Sequence, residues 1–290
     1  MIMSNYTISD FEKLSKCPWC GSSSRQEWGL PVADFRSVKC SGCGLIYVQN
    51  RLNKKGLEKH YKDYLSGIHQ ANEEANKKRD LMYKIEFDLI DSCCKKGRVL
   101  DVGCSGGYFL DHFKRNGYDC YGVEFGEEAA KEAMKNYPVY FGDFANLKID
   151  VRFDLVVFRG VIEHVSNPKA YLEKAIKLLA EDGCIYITST PNAQSLCCTL
   201  FKEMWNQHAP EGHLMHFTPR HFDDFFLSNK FQKIAERYFY EETPYSDVQN
   251  DVIKVADAIK RKREKLPIDF KSPAFFGNMM SLAYKKCRKA

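Results

Sequence analysis

Between Arg98 and about Tyr240, short apolar runs alternate with stretches whose apolar residues recur at helical spacing. That rhythm predicts βαβ units and a largely parallel sheet, an α/β fold. Five strands are expected, over Arg98–Val102, Cys120–Glu124, Val139–Phe141, Phe153–Phe158 and Cys184–Thr188. The Phe153–Phe158 run suits a central strand buried on both faces. Helices fit between them at Tyr108–Asn116, Glu127–Asn136 and Lys169–Leu179. Pro168 is expected at the first helical position of the last helix, with Gly183 as a left-handed stop beyond its end. Upstream, about Arg51 to Lys96 is polar and helix-prone, with a charged run at Glu73–Asp80 leading into an amphipathic stretch, Leu81–Ile90. Beyond Pro244 lie a basic helical candidate and an aromatic patch, Phe270–Phe276. The expected divisions are therefore a small module over residues 1–50, a helical lead-in or substrate cap over 51–96, a ligand-binding core over 97–243 and a basic extension over 244–290.

Sheets of this kind bind ligands beyond the carboxyl ends of their strands. The first core strand ends in Asp101-Val102-Gly103-Cys104-Ser105-Gly106-Gly107. A glycine-rich strand-to-helix turn lets a ligand approach the backbone closely. The full three-glycine dinucleotide pattern is absent. A carboxylate at position 101 would repel a pyrophosphate and attract a ligand that carries an ammonium and a sulfonium. The second strand ends in Glu124, 23 residues further on, where a carboxylate can accept both hydroxyls of a ribose and disfavours a 2′-phosphate. After the third strand, Gly142-Asp143-Phe144 offers an acceptor for an exocyclic amine and a ring to pack on the base.

On these residues, together with Phe153–Phe158, the chain resembles the class I S-adenosylmethionine-dependent methyltransferase family over roughly Leu81–Tyr238. Gly160-Val161-Ile162-Glu163-His164-Val165, with Asn167-Pro168, is similar to the Glu-His element of the subgroup that includes ubiquinone and sugar methyltransferases; Thr190-Pro191-Asn192 also matches. The resemblance implies a Rossmann-like seven-stranded sheet with helices on both faces and a reversed last hairpin, with Phe231–Tyr238 as its penultimate strand. It implies S-adenosyl-L-methionine as cofactor. Asp101, Gly103, Cys104, Gly106, Tyr108, Glu124, Phe125, Asp143, Phe144 and Arg159 are the candidate cofactor contacts.

Methyl transfer from a sulfonium is an in-line displacement, so alignment supplies much of the rate. A hydroxyl acceptor must also lose a proton, and histidine is the usual base near neutral pH. His164 follows the fourth strand. His213 and His216 lie in His213-Leu214-Met215-His216-Phe217, a stretch that in the resembling subgroup precedes a helix lining the substrate pocket, here Arg220–Asn229. His164, His213 and His216 are the catalytic candidates, with Trp205 and Phe217 as candidate pocket walls.

Twelve cysteines change the picture in one place. Cys17-Pro18-Trp19-Cys20-Gly21 and Cys40-Ser41-Gly42-Cys43-Gly44 are two Cys-x-x-Cys turns, each followed by glycine, with 19 residues between Cys20 and Cys40. Four thiolates suit a tetrahedral structural zinc and the fold of a small ribbon. The remaining cysteines are scattered in apolar surroundings and read as small core hydrophobes. Net charge is +5, concentrated from Lys254 to Ala290, where eleven basic residues face three acidic ones. That tail could meet phosphates or an acidic glycan. Neither a bilayer-length apolar run nor the pattern of a leader at Met1–Asp10 is seen, so a cytoplasmic protein is expected. The leading expectation is O-methylation of a sugar, glycan intermediate or other small metabolite. The rivals are an RNA methyltransferase, a non-enzymatic zinc-ribbon adaptor and a nicotinamide-dependent reductase.

Overall fold

The computed structural model describes residues 6–69 and 72–287; Met1–Asn5 of the leader expectation and the last three residues of the basic tail lie outside them. Its core is a seven-stranded sheet. The strands are β5 (Arg98–Val102), β6 (Asp119–Glu124), β7 (Val139–Phe141), β8 (Phe153–Arg159), β9 (Leu179–Pro191), β11 (Phe231–Arg237) and β12 (Met279–Lys286), in the order β11-β12-β9-β8-β5-β6-β7. The strands from β9 to β7 pair in parallel, whereas β12 is antiparallel to both its neighbours. All five expected strands are present, and the 231–238 segment is the penultimate strand as the resemblance implied.

Alternation along the central strands divides the core into two layers. Leu100, Val102, Val156, Phe158, Ile185 and Ile187 face α5 (Pro168–Leu178) and α7 (Pro219–Ser228). Val99, Leu155, Val157 and Tyr186 face α2 (Glu73–Cys93) and α3 (Leu110–Arg115). Pro168 starts α5 behind an Asn167 cap, as anticipated. Gly183 does not stop that helix. The chain turns extended at Leu179, directly after α5, and Gly183 sits inside β9, where a Cβ would come within 3.1 Å of the Phe153 carbonyl oxygen.

The cysteine module is a second, antiparallel sheet of β1 (Phe11–Lys13), β2 (Arg25–Glu27), β3 (Arg36–Cys40) and β4 (Ile46–Leu52), in the order β1-β4-β3-β2. It is stitched to the core: β10 (Met215–His216) pairs with Tyr47 and Ile46 of β4. Trp19 packs against Phe217, Phe222 and Phe225. The expected divisions at residues 50 and 243 thus cut structural units, because β4 runs to Leu52 and the 244–290 segment supplies β12 to the middle of the sheet. Before β12 that segment forms the basic helix α8 (Val248–Arg263). In the chain, α1 (Lys54–His69) and α2 connect β4 to β5; α4 (Glu127–Ala133) and α6 (Leu196–Phe201) are the other α-helices of the described residues.

Candidate functional site

Asp101 and Glu124 end adjacent parallel strands, and both are buried. Asp101 lies opposite Gly122 on one side and Val157 on the other, and its Oδ1 has no hydrogen-bond partner. Burial pushes its pKa up to about 7; Arg159 pulls it down, while Glu124 and Glu86 add to the rise. Glu124 is buried with better provision. Its Oε1 accepts from the amides of Phe125 (2.9 Å) and Gly126 (2.7 Å), and its Oε2 from that of Ser105 (2.8 Å). Burial still raises its pKa against those three donors. The turn between them is pinned, since the amides of Gly103 and Cys104 both donate to the Val123 carbonyl. Gly103 adopts φ +79°, and a Cβ there would meet Val161 Cγ2 at 2.6 Å. Only glycine fits. A Cβ on Gly106 would run into the Tyr108 ring, and Tyr108 and Phe125 are both exposed beside this turn.

Other candidate contacts are placed differently. Phe144 is 1% exposed and packs among Phe158, Tyr171 and Lys174, so it has no face to offer a base. Asp143 is exposed, but its oxygens already accept from the Ala145 amide, Asn146 and the Tyr171 hydroxyl. The Cys104 side chain is buried, and burial holds its thiol protonated. Arg159 turns inward. Its Nε donates to Glu86 at 2.6 Å and its guanidinium lies 4.4 Å from the Tyr83 ring centre, making it a cation behind Asp101. Glu86, fully buried on α2, also accepts from the Thr188 hydroxyl. Glu86 was missed in the sequence, although its spacing from Tyr83, Phe87 and Ile90 puts it on the inward stripe of α2.

The three candidate histidines separate. His164 and His213 meet edge to face with ring centres 4.7 Å apart. His164 Nδ1 lies 3.0 Å from the Gly212 carbonyl oxygen and 2.9 Å from the Tyr61 hydroxyl; His213 Nδ1 lies 2.7 Å from the Gln207 carbonyl oxygen. Burial drops the His164 pKa to about 3, helped by His213. His216 leaves the group. It is fully buried, bonds to His208 at 2.9 Å and packs on Trp205 and Trp28 below β10. Trp205 and Phe217 are likewise fully buried and wall no pocket, and α7 turns its phenylalanines onto Trp19 and the sheet rather than toward a ligand. In place of His216 the structure adds Glu163 and Tyr61. Glu163 is 1% exposed with its Oε1 3.9 Å from His164 Nε2, and burial lifts its pKa to about 8. The Glu-His dipeptide was the available signal for Glu163. Nothing in the polar α1 sequence marks Tyr61, which touches Phe125 on one side and His164 on the other.

In the N-terminal sheet, the sulfurs of Cys17, Cys20, Cys40 and Cys43 all lie within 4.8 Å of one another, with Cys17–Cys43 at 3.7 Å and Cys20–Cys40 at 3.5 Å. Tetrahedral zinc–thiolate bonds of about 2.3 Å would set sulfurs ~3.8 Å apart. Gly21 and Gly44 take positive φ at the ends of the two turns. Amides of Cys20 and Trp19 hydrogen-bond to the Cys17 sulfur, that of Ser22 to Cys20 and that of Leu45 to Cys43. The described cysteines form no disulfide.

A family model described as a methyltransferase domain matches residues 64–236. A ubiquinone biosynthesis O-methyltransferase from Psychrobacter cryohalolentis is 31% identical over 115 residues, 34% of this chain and 43% of that protein. A protein named probable (S)-tetrahydroprotoberberine N-methyltransferase 2, from Papaver bracteatum, is 25% identical over 195 residues, 62% of this chain and 48% of that one. The chain thus spans less than half the length of these two relatives. Among solved structures, a SAM-dependent methyltransferase from Archaeoglobus fulgidus matches with TM-score 0.51 at 23% identity, covering 72% of this chain and 94% of that one. Magnesium protoporphyrin IX methyltransferase from Synechocystis matches with TM-score 0.52 at 14% identity, covering 79% and 100%. At those identities the likeness is one of fold.

Proposed function

Because this chain belongs to the methyltransferase-domain family, we propose that it is an S-adenosylmethionine-dependent methyltransferase acting on a hydroxyl oxygen of a small metabolite, with a sugar or glycan intermediate as the leading class. The observation that carries the cofactor reading is Asp101: a buried carboxylate with an unpartnered oxygen, one strand away from a second buried carboxylate. Such a site is repelled by phosphate and fits a nucleoside bearing an ammonium. Asp101 would take the ammonium and Glu124 the ribose hydroxyls, while Gly103 and Gly106 keep the turn open to the ligand. Tyr108 and Phe125 would cover it from the solvent side, and Asp143 would contribute a peripheral acceptor.

The bound cofactor supplies an electrophilic methyl group on a sulfonium. On the acceptor side, His164 is held neutral, so its bare nitrogen is suited to accept a hydrogen bond from a hydroxyl rather than to carry a charge. His213 packs against it and fixes its tilt. Glu163 keeps a carboxyl whose proton affinity lies near neutral pH within reach of the same place. His216 supports His213 from below.

We further assign the four cysteines to a structural zinc, on the sulfur spacing and the amide bonds to the sulfurs. The module's purpose on this reading is positional, since its strand β4 holds β10, which begins two residues after His213. Free cysteines throughout the described chain support a reducing, cytoplasmic setting. The test is incubation with methyl-labelled cofactor and extracts fractionated into metabolites, glycans and RNA. Label on a hydroxyl of a sugar or small metabolite is the expected result; label confined to RNA or to amines would overturn the acceptor class.

A further inference from the structure

The cluster beside the strand ends has a feature that a proton-transfer role leaves unexplained. Glu163 is a carboxylate with 1% exposure, and its closest recorded polar side chains are Thr190, at 3.4 Å from Oε2, and His164, at 3.9 Å from Oε1. No lysine or arginine pairs with it among the described residues. Buried carboxylates are ordinarily paired or bound to a metal. The two imidazoles beside it are oriented in one particular way. The Gly212 and Gln207 carbonyls can only accept, so each Nδ1 carries the proton, and the Tyr61 hydroxyl oxygen becomes a second acceptor at His164. Both Nε2 atoms are left as lone-pair donors. An imidazole fixed by a carbonyl at one nitrogen and bare at the other is the form in which histidine binds metal ions. One ligand atom from each of Glu163, His164 and His213 lies within 4.8 Å of the other two.

We propose that Glu163, His164 and His213 bind a divalent first-row transition metal, at a site separate from the four cysteines, with open coordination positions that take an oxygen of the acceptor. Two imidazoles and one carboxylate suit zinc, iron, cobalt or manganese and leave room for exogenous ligands. Metal–ligand bonds of about 2.1 Å place donor atoms roughly 3.0–3.4 Å apart. Starting from 3.9 Å between His164 and Glu163, closure needs less than an ångström there. The ion would supply the counter-charge that no lysine or arginine among the described residues gives the Glu163 carboxylate. The three ligands come from two segments: Glu163 and His164 follow β8, and His213 precedes β10. The amides of Leu214 and Met215 donate to the Glu163 carbonyl and tie those segments together. The site is therefore held by backbone bonds that do not depend on the ion.

The identity of the oxygen ligand rests on the methyltransferase reading, but metal uptake does not. The test uses the full chain with its cysteine site loaded with zinc, without cofactor or acceptor, titrated with Co²⁺. One further equivalent per chain is expected, with ligand-field absorption and no sulfur-to-metal band. Glu163→Gln and His213→Gln should each lose that equivalent while keeping the cysteine-bound zinc and native S-adenosylhomocysteine binding, which establishes that they are folded. Three results would overturn the proposal: no uptake up to millimolar Co²⁺, uptake carrying a sulfur band, or uptake unchanged in both variants. A chain that takes the extra metal but ignores S-adenosylhomocysteine would sink the cofactor reading and leave the metal site standing.

Discussion

The cysteine cluster and the strand-end acids solve opposite problems. The cysteine turns sit in a small sheet whose outer strand, Arg25–Glu27, is wholly exposed, and the zinc proposed there would brace turns that the sheet's own few core residues do not hold alone. The strand-end acids sit on a sheet whose central strands are buried over Val99–Val102 and Leu155–Phe158, and such a sheet can hold groups that weaken the fold. Asp101 and Glu163 are such groups: two carboxyls whose proton affinity burial has raised, placed where folding gains nothing from them. On the zinc assignment, one region would use its special residues to fold. The other uses its fold to keep special residues uncomfortable, which is the usual mark of a ligand site.

That contrast can be broken from either side. The largest effect is expected from Cys40→Ser with Cys43→Ser. Structural zinc in small modules contributes on the order of 10 kcal/mol of folding free energy. Residues 6–52 should therefore become protease-sensitive while the seven-stranded sheet keeps its circular dichroism; an intact N-terminal sheet in the metal-free variant would contradict the account. Next is Glu86→Gln, which strands the Arg159 guanidinium. Breaking a buried pair from one side costs about 3–5 kcal/mol, or roughly 5–10 °C in melting temperature for a chain of this size. An unchanged melting temperature would show that the Glu86–Arg159 pair does not support the strand ends.

Asp101→Asn should separate stability from binding. Its folded pKa of about 7 lies above the usual carboxylate value near ~3.9, so the folded state keeps a proton that the unfolded state has lost. Stability of the ligand-free protein therefore falls as pH rises from about 4 to about 7. The asparagine variant should lack that decline and melt higher than the parent at pH ~8, while the two converge near pH ~4. The same substitution should weaken S-adenosylhomocysteine by ~10–100-fold, the worth of a hydrogen bond to a charged group. In the parent, affinity should drop as pH falls below about 7 and Asp101 takes up its proton. The smallest effect is reserved for Asp143→Asn. That carboxylate is exposed and already engaged by Asn146 and Tyr171, so affinity should change by less than about one kcal/mol.

Legibility in the sequence followed the distance between partners. The cysteine quartet announced itself because each turn is complete within five residues. The parallel strands and the strand-end acids were readable because every βα unit repeats one pattern. β12 escaped that rhythm: Met279–Lys286 arrives after a basic helix and an aromatic loop, and inserts between two strands that precede it in the chain. Phe144 was misplaced because an aromatic after a strand-end acid carries no sign of which way it faces, and here the core claims it. His216 was grouped with His213 by proximity in sequence, but in the short strand β10 it sits against Ile46 and goes under the cysteine module. The Glu163–His164–His213 cluster joins side chains about fifty residues apart through backbone bonds that no local pattern encodes.

The central claim is that two buried acids at neighbouring strand ends select a cationic nucleoside. Calorimetric titration of the purified chain at pH ~8 with S-adenosylhomocysteine, and separately with NAD, measures this most directly. The account predicts one saturable site for the first and no heat of binding for the second. Saturable uptake of NAD with none of S-adenosylhomocysteine would contradict it.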